Sequence, residues 1–307
     1  MDEGVGTLTV EEKVQLKKVD LPNGETIAYR EREGGSKKLL LIHGNMNSSK
    51  HWDILFENLA PEYKVYAMDM RGFGESSYYN PIYTIKDLSD DIKLFVEQIG
   101  LKDFSIMGWS LGAPVCMQFV ADYPSYCNKL ILLAPGSTRG YPVYELTSEG
   151  LPDINKRLKT FEEIKHDSVR VVPTETAYAN KNRDLLRYVF NATIYTKNQP
   201  QPDRYEEYID DMLTQRNYAE TVHALNQFNI SDEYNGLVEG NGLAKTIQIP
   251  SLVLRGDRDL IVTQEMAEEI ITDIGENARF VELKDCGHSP LVDDITQLVE
   301  VVSDFLK

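Results

Sequence analysis

Short apolar runs alternate with amphipathic helical stretches along most of this chain, and this alternation constrains the fold more than any other feature. The runs at residues 39–42, 130–134 and 252–254 are apolar at every position, which is typical of strands buried on both faces. The stretch at residues 85–99 has the spacing of an amphipathic helix and stops at Gly100. The pattern predicts an α/β fold in which helices cover both faces of a mostly parallel central sheet.

The alternation stops between residues 136 and 245. This segment is polar, rich in tyrosine and helix-forming, and it has no strong strand signal. We predict that residues 136–245 form an inserted helical cap and that residues 1–135 and 246–307 form the core domain. Within the core, Pro22-Asn23-Gly24 separates two strand-like runs in residues 14–33 and predicts a leading hairpin.

The charge balance restricts the partners of this chain. Its 307 residues include 32 Lys and Arg against 49 Asp and Glu, which gives a formal net charge of −17. Because such a charge repels phosphate backbones and anionic headgroups, we expect no nucleic acid and no membrane surface as the main partner.

The termini and cysteines bear on the compartment. Residues 1–13 carry acids where a secretory signal has basic residues and an apolar core, and no stretch approaches the ~18 apolar residues of a membrane span. Cys116, Cys127 and Cys286 form no CxxC pair, and their odd number makes a poor disulfide framework. We therefore expect a cytoplasmic protein with reduced thiols.

Residues 108–112 read Gly-Trp-Ser-Leu-Gly and lie between an apolar strand and a helical stretch. In this context the G-x-S-x-G pattern is typical of a nucleophile elbow, although taken alone it also fits a glycine-flanked turn with a chance serine. A serine on so sharp a turn needs small neighbours, which Gly108 and Gly112 provide. We predict that Ser110 is the catalytic nucleophile, placed where the following helix N-terminus favours the negative charge of acyl transfer.

A serine hydroxyl becomes a strong nucleophile only when a base takes its proton. Of the five histidines, four fit this role poorly because they lie in a strand-end turn, at a helix start or inside the insertion: His43, His51, His166 and His223. His288 lies in a loop directly after a predicted strand, where parallel sheets place their functional groups. We predict that His288 is the catalytic base.

The base needs an acid that orients it. After a nucleophile elbow of this kind, the acid comes next along the chain and the histidine follows it. The loop after the predicted strand at residues 250–256 offers Asp257 and Asp259, whereas residues 133–137, after the preceding strand, contain no carboxylate. Asp259 is favoured because it lies further into the loop and has more freedom to reach His288.

An oxyanion hole needs two backbone N–H groups that point at the tetrahedral oxygen. The residue after the nucleophile, Leu111, is predicted to supply one of them. Asn45, in the loop after the first long strand, is predicted to supply the other because Gly44 lets the chain turn tightly there.

The motifs that carry chemistry occur in a recognisable order: His43-Gly44-Asn45, residues 69–76, residues 108–112, Gly256-x-x-Asp259 and Gly287-His288-Ser289-Pro290. Together they resemble the α/β-hydrolase fold superfamily, in its branch of cap-bearing serine hydrolases that are esterase- or lactonase-like. The resemblance covers residues 14–307 and implies an α/β-hydrolase core with a helical cap. It also supports Asp259 over Asp257, because the acid of this family typically lies three residues after that glycine.

The resemblance also implies a reaction. Relatives that open epoxides or displace halides carry aspartate at the nucleophile position, whereas this chain carries Ser110. We therefore expect a carboxylesterase or lactonase that acts on small to medium, mostly uncharged substrates through an acyl-enzyme intermediate. It would need no organic cofactor and no metal, since HExxH and HxH patterns are absent from the sequence.

Other functions remain open at this stage. One is another reaction of a serine triad, such as haloperoxidase-like perhydrolysis or hydrolysis of a C–C bond. Another is a ligand-sensing protein that retains the hydrolase fold. The expected partner is a small-molecule ester or lactone, and the sequence leaves a homodimer open as the assembly.

Overall fold

The computed structural model describes residues 14–307. Its strands are Val14–Asp20 (β1), Thr26–Arg32 (β2), Lys37–Ile42 (β3), Tyr63–Met68 (β4), Phe104–Trp109 (β5), Cys127–Leu133 (β6), Tyr144–Leu146 (β7), Pro152–Arg157 (β8), Ser251–Gly256 (β9) and Ala278–Leu283 (β10). Its helices are Asp53–Asn58 (α1), Ile85–Gln98 (α2), Gly112–Asp122 (α3), Phe161–Lys165 (α4), Val171–Ala179 (α5), Arg183–Thr193 (α6), Pro202–Met212 (α7), Tyr218–Gln227 (α8), Gln264–Ile274 (α9), Pro290–Asp293 (α10) and Ile295–Leu306 (α11). Two 3₁₀ turns, Ser49–Trp52 and Leu243–Thr246, complete these elements.

Two predictions concern residues 1–13: that they are not a secretory signal and that they begin the core domain. These residues lie outside the part of the chain that the structure describes. None of the helices in residues 14–307 combines the length and the apolar character that a membrane span requires.

Eight strands form the central sheet, in the order β1-β2-β4-β3-β5-β6-β9-β10. The six strands from β4 to β10 in this order pair in parallel, while β1 and β2 pair antiparallel with each other and β2 pairs antiparallel with β4. The prediction of a mostly parallel sheet that follows an antiparallel hairpin is therefore confirmed. Because parallel strands end at the same edge, the loops after β3, β5, β9 and β10 all leave one side of the sheet.

The inner strands carry continuous apolar runs, such as residues 39–42 of β3, where both faces of the sheet are buried. Leu40 and Ile42 of β3 pack in a cluster with residues of α2, α3 and α9 on one face. Leu39 and Leu41 pack on the other face with residues of α1 and α11. The continuous apolar runs of the sequence are thus explained by helices on both faces.

The sequence pattern also predicts single helices at residues 49–59 and 291–306, and both differ in detail from the structure. The stretch at residues 49–59 begins as the 3₁₀ turn and continues as α1, and the stretch at residues 291–306 is divided into α10 and α11. The division falls at Asp294, whose side chain accepts a hydrogen bond from the Gln297 N–H and so caps α11. An N-cap residue has an extended or irregular backbone, which ends the preceding helix.

Residues 136–245 contain the five helices α4–α8 together with a two-stranded hairpin, β7 and β8, that the sequence did not predict. The sequence analysis found no strong strand signal in this segment and so missed the hairpin. Its strands are polar and mostly exposed, and they pair only with each other, so they lack the apolar signal of a buried strand. Two apolar clusters, separate from those of the sheet, pack among these helices. The domain boundaries at residues 136 and 245 stay a prediction.

The turn at residues 69–76 follows β4 and forms a buried polar network at the carboxyl edge of the sheet. The Asp69 carboxylate accepts hydrogen bonds from the Ser49 and Glu75 N–H groups, both at 2.9 Å. The guanidinium of Arg71 makes a two-pronged contact with Asp91 at 2.7 and 2.8 Å. Because these polar groups bond one another, the turn acts as a structural support for the neighbouring loops.

Candidate active site

The turn between β5 and α3 places Ser110 in the left-handed region of backbone conformation, with φ of 54°. The two flanking glycines are required by close backbone contacts. A Cβ added at Gly108 would lie 2.3 Å from the Gly112 carbonyl oxygen, and one added at Gly112 would lie 2.3 Å from the Ile42 carbonyl oxygen. The chain therefore makes a sharp turn that only glycine permits on both sides, and Ser110 lies at its tip.

Three predicted residues meet above the carboxyl edge of the sheet. His288, in the loop after β10, lies with its Nε2 atom 2.9 Å from the Ser110 Oγ. Its Nδ1 atom lies 2.9 and 3.1 Å from the two carboxylate oxygens of Asp259, in the loop after β9. The structure thus brings together a hydroxyl, an imidazole and a carboxylate in one hydrogen-bonded series, which is the geometry of a serine nucleophile with its base and orienting acid.

The environment of Asp259 keeps its carboxylate charged. Burial opposes ionisation, but the charge and hydrogen bond of His288 and the backbone N–H groups of Val262 and Ile261 outweigh it, so the pKa of Asp259 lies below its ordinary value. An ionised carboxylate at this position accepts the Nδ1–H of His288 and leaves Nε2 free to accept the serine proton.

The loop that carries His288 is bonded to Trp109, the residue before Ser110. The indole Nε1–H of Trp109 donates a hydrogen bond of 2.9 Å to the His288 carbonyl oxygen, and the Trp109 ring is buried. This bond joins the elbow directly to the backbone of the loop that carries His288.

The rival residues lie away from this series. The side chain of Asp257 is exposed and faces solvent, and Arg258 pairs with Asp285 at 2.8 Å rather than with its neighbour Asp257. Cys286 is buried, and burial raises the pKa of its thiol to about 11, which keeps the sulfur protonated. Neither Asp257 nor Cys286 is placed to act on Ser110.

The loop after β3, residues 43–48 (the β3 loop), lies directly against the elbow. A Cβ added at Gly44 would lie 3.2 Å from the Ser110 Cβ. Among the hydrogen bonds of residues 14–307, neither the Asn45 N–H nor the Leu111 N–H has an acceptor, whereas the Met46 N–H donates to the side chain of Gln215. Both predicted oxyanion donors are therefore available to a ligand beside Ser110.

A cavity of about 270 Å³ opens onto Ser110 and His288, and residues 141–225 supply most of its walls. Its apolar walls include Val143, Val189, Phe190, Ile194, Val222, Leu225 and Ile261. Of the many aromatic residues in the cap, Tyr141, Phe190 and Tyr218 line the cavity, whereas Tyr195, Tyr205 and Tyr208 are buried in an apolar cluster. Most aromatic residues thus pack the interior of the cap, and a few face the ligand space.

One cationic side chain, Arg170, is among the described residues that line the cavity. Its Nε–H donates to the carboxylate of Asp167 at 2.6 Å, and its guanidinium also donates to the Tyr144 carbonyl oxygen. The positive charge on this wall is therefore balanced by a partner that is itself buried. Residues 14–307 contain no group of three or more His, Cys, Asp and Glu side chains that could hold a metal ion.

Gln215 belongs to the site although the sequence did not point to it. This cap residue is buried and contacts the β3 loop, from which it is separated by 170 residues in the chain. Nothing in the local sequence marks such a contact, because a glutamine in a polar helical segment normally faces solvent. Only the docking of the cap on the core reveals it.

A mostly parallel sheet that carries a hydrogen-bonded Ser, His and Asp at its carboxyl edge defines a protein of the α/β hydrolase class. The family described as alpha/beta hydrolase fold matches residues 37–295, and the chain belongs to this family.

Individual relatives are distant but similar in length. The chain is 23% identical over 291 residues to a 2-hydroxy-6-oxononadienedioate/2-hydroxy-6-oxononatrienedioate hydrolase of Pseudomonas putida, a match that covers 91% of each chain. Among solved structures it is similar to an esterase from Exiguobacterium antarcticum, with a TM-score of 0.71, 17% identity and coverage of 95% and 99% of the two chains. It is also similar to the enol-lactonase of Burkholderia xenovorans LB400, with a TM-score of 0.70, 18% identity and coverage of 94% and 99%. At these identities the structural matches show the fold alone.

Proposed function

We propose that the protein is a serine hydrolase that cleaves carboxylic esters or lactones of small to medium size through an acyl-enzyme intermediate. The observation that carries this proposal is the continuous series from the Ser110 hydroxyl through His288 to Asp259, with each contact at hydrogen-bond distance. Such a series activates a serine toward a carbonyl carbon, and it opens here onto a cavity large enough for a small ligand.

In the acylation half of the reaction, the Ser110 oxygen attacks the carbonyl carbon while His288 Nε2 takes the hydroxyl proton. The carbonyl oxygen becomes negatively charged and accepts hydrogen bonds from the Asn45 and Leu111 N–H groups. His288 then returns the proton to the leaving alkoxide, the C–O bond breaks, and the acyl group stays on Ser110.

In the deacylation half, water replaces the alcohol. His288 removes a proton from the water as the water oxygen attacks the acyl carbon. The resulting oxyanion accepts hydrogen bonds from the same two N–H groups. Collapse of this intermediate returns the proton to Ser110 Oγ and releases the carboxylic acid. The ionised Asp259 stabilises the imidazolium that forms in both halves.

The walls of the cavity support a mostly uncharged substrate. Apolar side chains dominate them, and the charge of Arg170 is balanced by Asp167 at 2.6 Å. A carboxylate in the substrate would gain little from a guanidinium that already has an anionic partner, and the net charge of −17 would oppose its approach.

The test is hydrolysis of p-nitrophenyl esters and acyl-lactones by the wild type and by Ser110→Ala, together with labelling by a serine-directed phosphonate. We expect ester or lactone turnover by the wild type, loss of about four or more orders of magnitude in kcat in the variant, and one label on Ser110. A variant that turns over as fast as the wild type would show that the nucleophile is misassigned.

A second candidate is hydrolysis of a C–C bond in a diketone-like substrate. It is favoured by the match to the Pseudomonas putida hydrolase over 91% of both chains. The same panel separates the two functions if it includes a 2-hydroxy-6-oxo-dienoate. Turnover of this compound that outruns every ester would favour the second candidate, and the reverse order would favour the first.

A further inference from the structure

One segment of the cap holds the loop that supplies the Asn45 N–H. Residues 211–217, here called the cap strap, run from the end of α7 to the start of α8. The hydroxyl of Ser48 in the β3 loop donates to the Asp211 carboxylate at 2.6 Å, and the amide of Asn217 donates to the Arg71 carbonyl oxygen at 2.8 Å. The strap is thus bonded both to the β3 loop and to the turn after β4.

Gln215 lies at the centre of these contacts, and its side chain uses both ends of the carboxamide. Oε1 accepts hydrogen bonds from the Met46 N–H at 3.0 Å and from the Tyr178 hydroxyl at 3.1 Å. Nε2 donates to the side-chain oxygens of Asn45 at 2.7 Å and Asn217 at 3.1 Å. Since a backbone N–H can only donate, the contact with Met46 determines which end of the amide is the oxygen.

These bonds determine which N–H groups of the β3 loop remain available. Met46 adopts a φ of 62°, which a residue with a side chain rarely adopts without support. Gln215 occupies its N–H and also bonds the Asn45 side chain, whose oxygen accepts a further hydrogen bond from the Thr221 hydroxyl at 3.2 Å. The peptide between Asn45 and Met46 is therefore held by the cap, and the Asn45 N–H is left for a ligand.

We infer that Gln215 is a positioning residue for the oxyanion hole: it holds the β3 loop so that the Asn45 N–H, and not the Met46 N–H, faces the developing oxyanion. This inference rests on the proposed function, because it concerns the transition state of acyl transfer. It assigns to the cap a role in the chemical step in addition to its role in forming the walls of the cavity.

The inference predicts which kinetic constant changes. An oxyanion forms only in the transition state and the tetrahedral intermediate, so a displaced N–H group weakens those states and leaves the bound ester largely unaffected. Loss of Gln215 is therefore expected to lower kcat while KM stays close to that of the wild type. Removal of one oxyanion donor costs about 10²- to 10³-fold in kcat, and a donor that is misplaced rather than removed should cost less, about 10- to 100-fold.

The first experiment compares Gln215→Met with the wild type on the best ester of the panel. Methionine has a similar length but cannot make the hydrogen bonds of the Gln215 carboxamide. Affinity for an aryl trifluoromethyl ketone, which forms a hemiketal oxyanion on the serine, should fall by the same factor as kcat/KM. Affinity for the carboxylic acid product, which carries no tetrahedral centre, should stay within about threefold.

Thr214→Val is the matched control. The Thr214 hydroxyl oxygen accepts a hydrogen bond of 2.9 Å from the Gly74 N–H, so this variant loosens the same strap where it contacts the turn, and not the β3 loop. We expect its kcat and its affinity for the trifluoromethyl ketone to remain close to the wild type. An equal loss in both variants would show that the strap acts only as a general support, and the inference would be wrong.

Gln215→Glu tests the donated hydrogen bond. The carboxylate keeps an acceptor for Met46 but repels the side-chain oxygen of Asn45, whereas a protonated carboxyl can donate to it. The kcat of this variant relative to the wild type should therefore rise as the pH is lowered from 8 to 6. A ratio that stays constant would contradict the need for a donor at this position.

The outcomes for the wild type keep the two proposals separate. A wild type that hydrolyses esters and forms a phosphonate adduct, with a Gln215→Met variant equally fast, overturns the positioning role and leaves the proposed function intact. A wild type that neither turns over an ester nor reacts with the phosphonate or the trifluoromethyl ketone overturns both.

Discussion

The carboxyl edge of the sheet and the cap face the same cavity, but they hold their residues in different ways. Ser110, Asp259 and His288 each follow a strand within a few residues, so the strand ladder fixes where their loops begin. The cap reaches the cavity from separate helices and is held on the core by long-range polar contacts such as those of Gln215. The strand ends thus place the proposed catalytic series, whereas the cap forms most of the cavity wall and contacts the β3 loop through side chains from distant segments.

The largest expected effect tests the sheet edge through Asp259→Asn. The amide cannot stabilise the imidazolium of His288 as the carboxylate does, and it can donate an N–H that favours the wrong tautomer. We expect kcat to fall by about 10⁴-fold, equivalent to about 5 kcal/mol of transition-state stabilisation. Steady-state kinetics on the best ester of the panel measures it.

Asp257→Asn is the control for this variant. It makes the same chemical change two residues away, on an exposed side chain that lies outside the series. Its kcat should change by less than about threefold, as is usual for surface positions. An equal loss of kcat in the two variants would show that Asp259 is not the acid that orients His288.

The second prediction tests how tightly the backbone is packed at that edge. In Gly112→Ala the new Cβ would lie 2.3 Å from the Ile42 carbonyl oxygen, so β3 or the elbow must shift. We expect a loss of about 3 kcal/mol in the free energy of unfolding, which urea titration measures.

Gly100→Ala provides the comparison for Gly112→Ala. Gly100 has a φ of 67° but no atom within 4 Å of an added Cβ, so only backbone strain remains, about 1 kcal/mol. Equal losses of unfolding free energy in the two variants would mean that the contact between a Cβ at residue 112 and the Ile42 carbonyl oxygen does not destabilise the fold.

The difference between the sheet edge and the cap also explains which residues could be predicted from the sequence. Gly108 and Gly112 flank Ser110 for local steric reasons, and a strand followed by a loop histidine is visible in the sequence, so these residues could be predicted from the sequence alone. The hairpin β7–β8 and Gln215 could not be found in this way. The hairpin lacks the apolar pattern of a buried strand, and the contacts of Gln215 depend on how two distant segments dock.

The third prediction compares a buried histidine at the sheet edge with an exposed histidine of the cap. Burial lowers the pKa of His43 from its ordinary 6.5 to about 4, although the hydrogen bond between its Nδ1 and the Gly44 carbonyl oxygen acts in the opposite direction. The Nε2 atom of the neutral ring accepts a hydrogen bond from the Met70 N–H. Above pH 6.5 the ring is neutral in both the folded and the unfolded chain, and it adds no pH dependence.

Below pH 6.5 the unfolded chain binds this proton and the folded chain does not, so stability is lost progressively as the pH falls to about 4. The loss at pH 5 is about 2 kcal/mol. Urea unfolding at pH 7 and pH 5 should show a smaller difference in His43→Gln than in the wild type. His166→Gln, which changes a side chain that is 72% exposed, should keep the wild-type difference. NMR of the His43 ring in the wild type gives a direct check, and a ring that is protonated at pH 5 would contradict the prediction.

The smallest expected effect concerns selectivity, and it lies in the cap. Asp167→Asn removes the charge that balances Arg170 while keeping an oxygen that can accept from the Val169 N–H, so the guanidinium on the cavity wall becomes free to attract an anionic acyl chain. The ratio of kcat/KM for a p-nitrophenyl ester with a terminal carboxylate to that for its neutral isostere should rise about fivefold to tenfold, close to 1 kcal/mol. Glu162→Gln, the same charge change on an exposed side chain nearby, should leave the ratio unaltered. If Asp167→Asn leaves it unaltered as well, the charge of Arg170 does not reach the substrate, and selectivity in the cap is determined by shape alone.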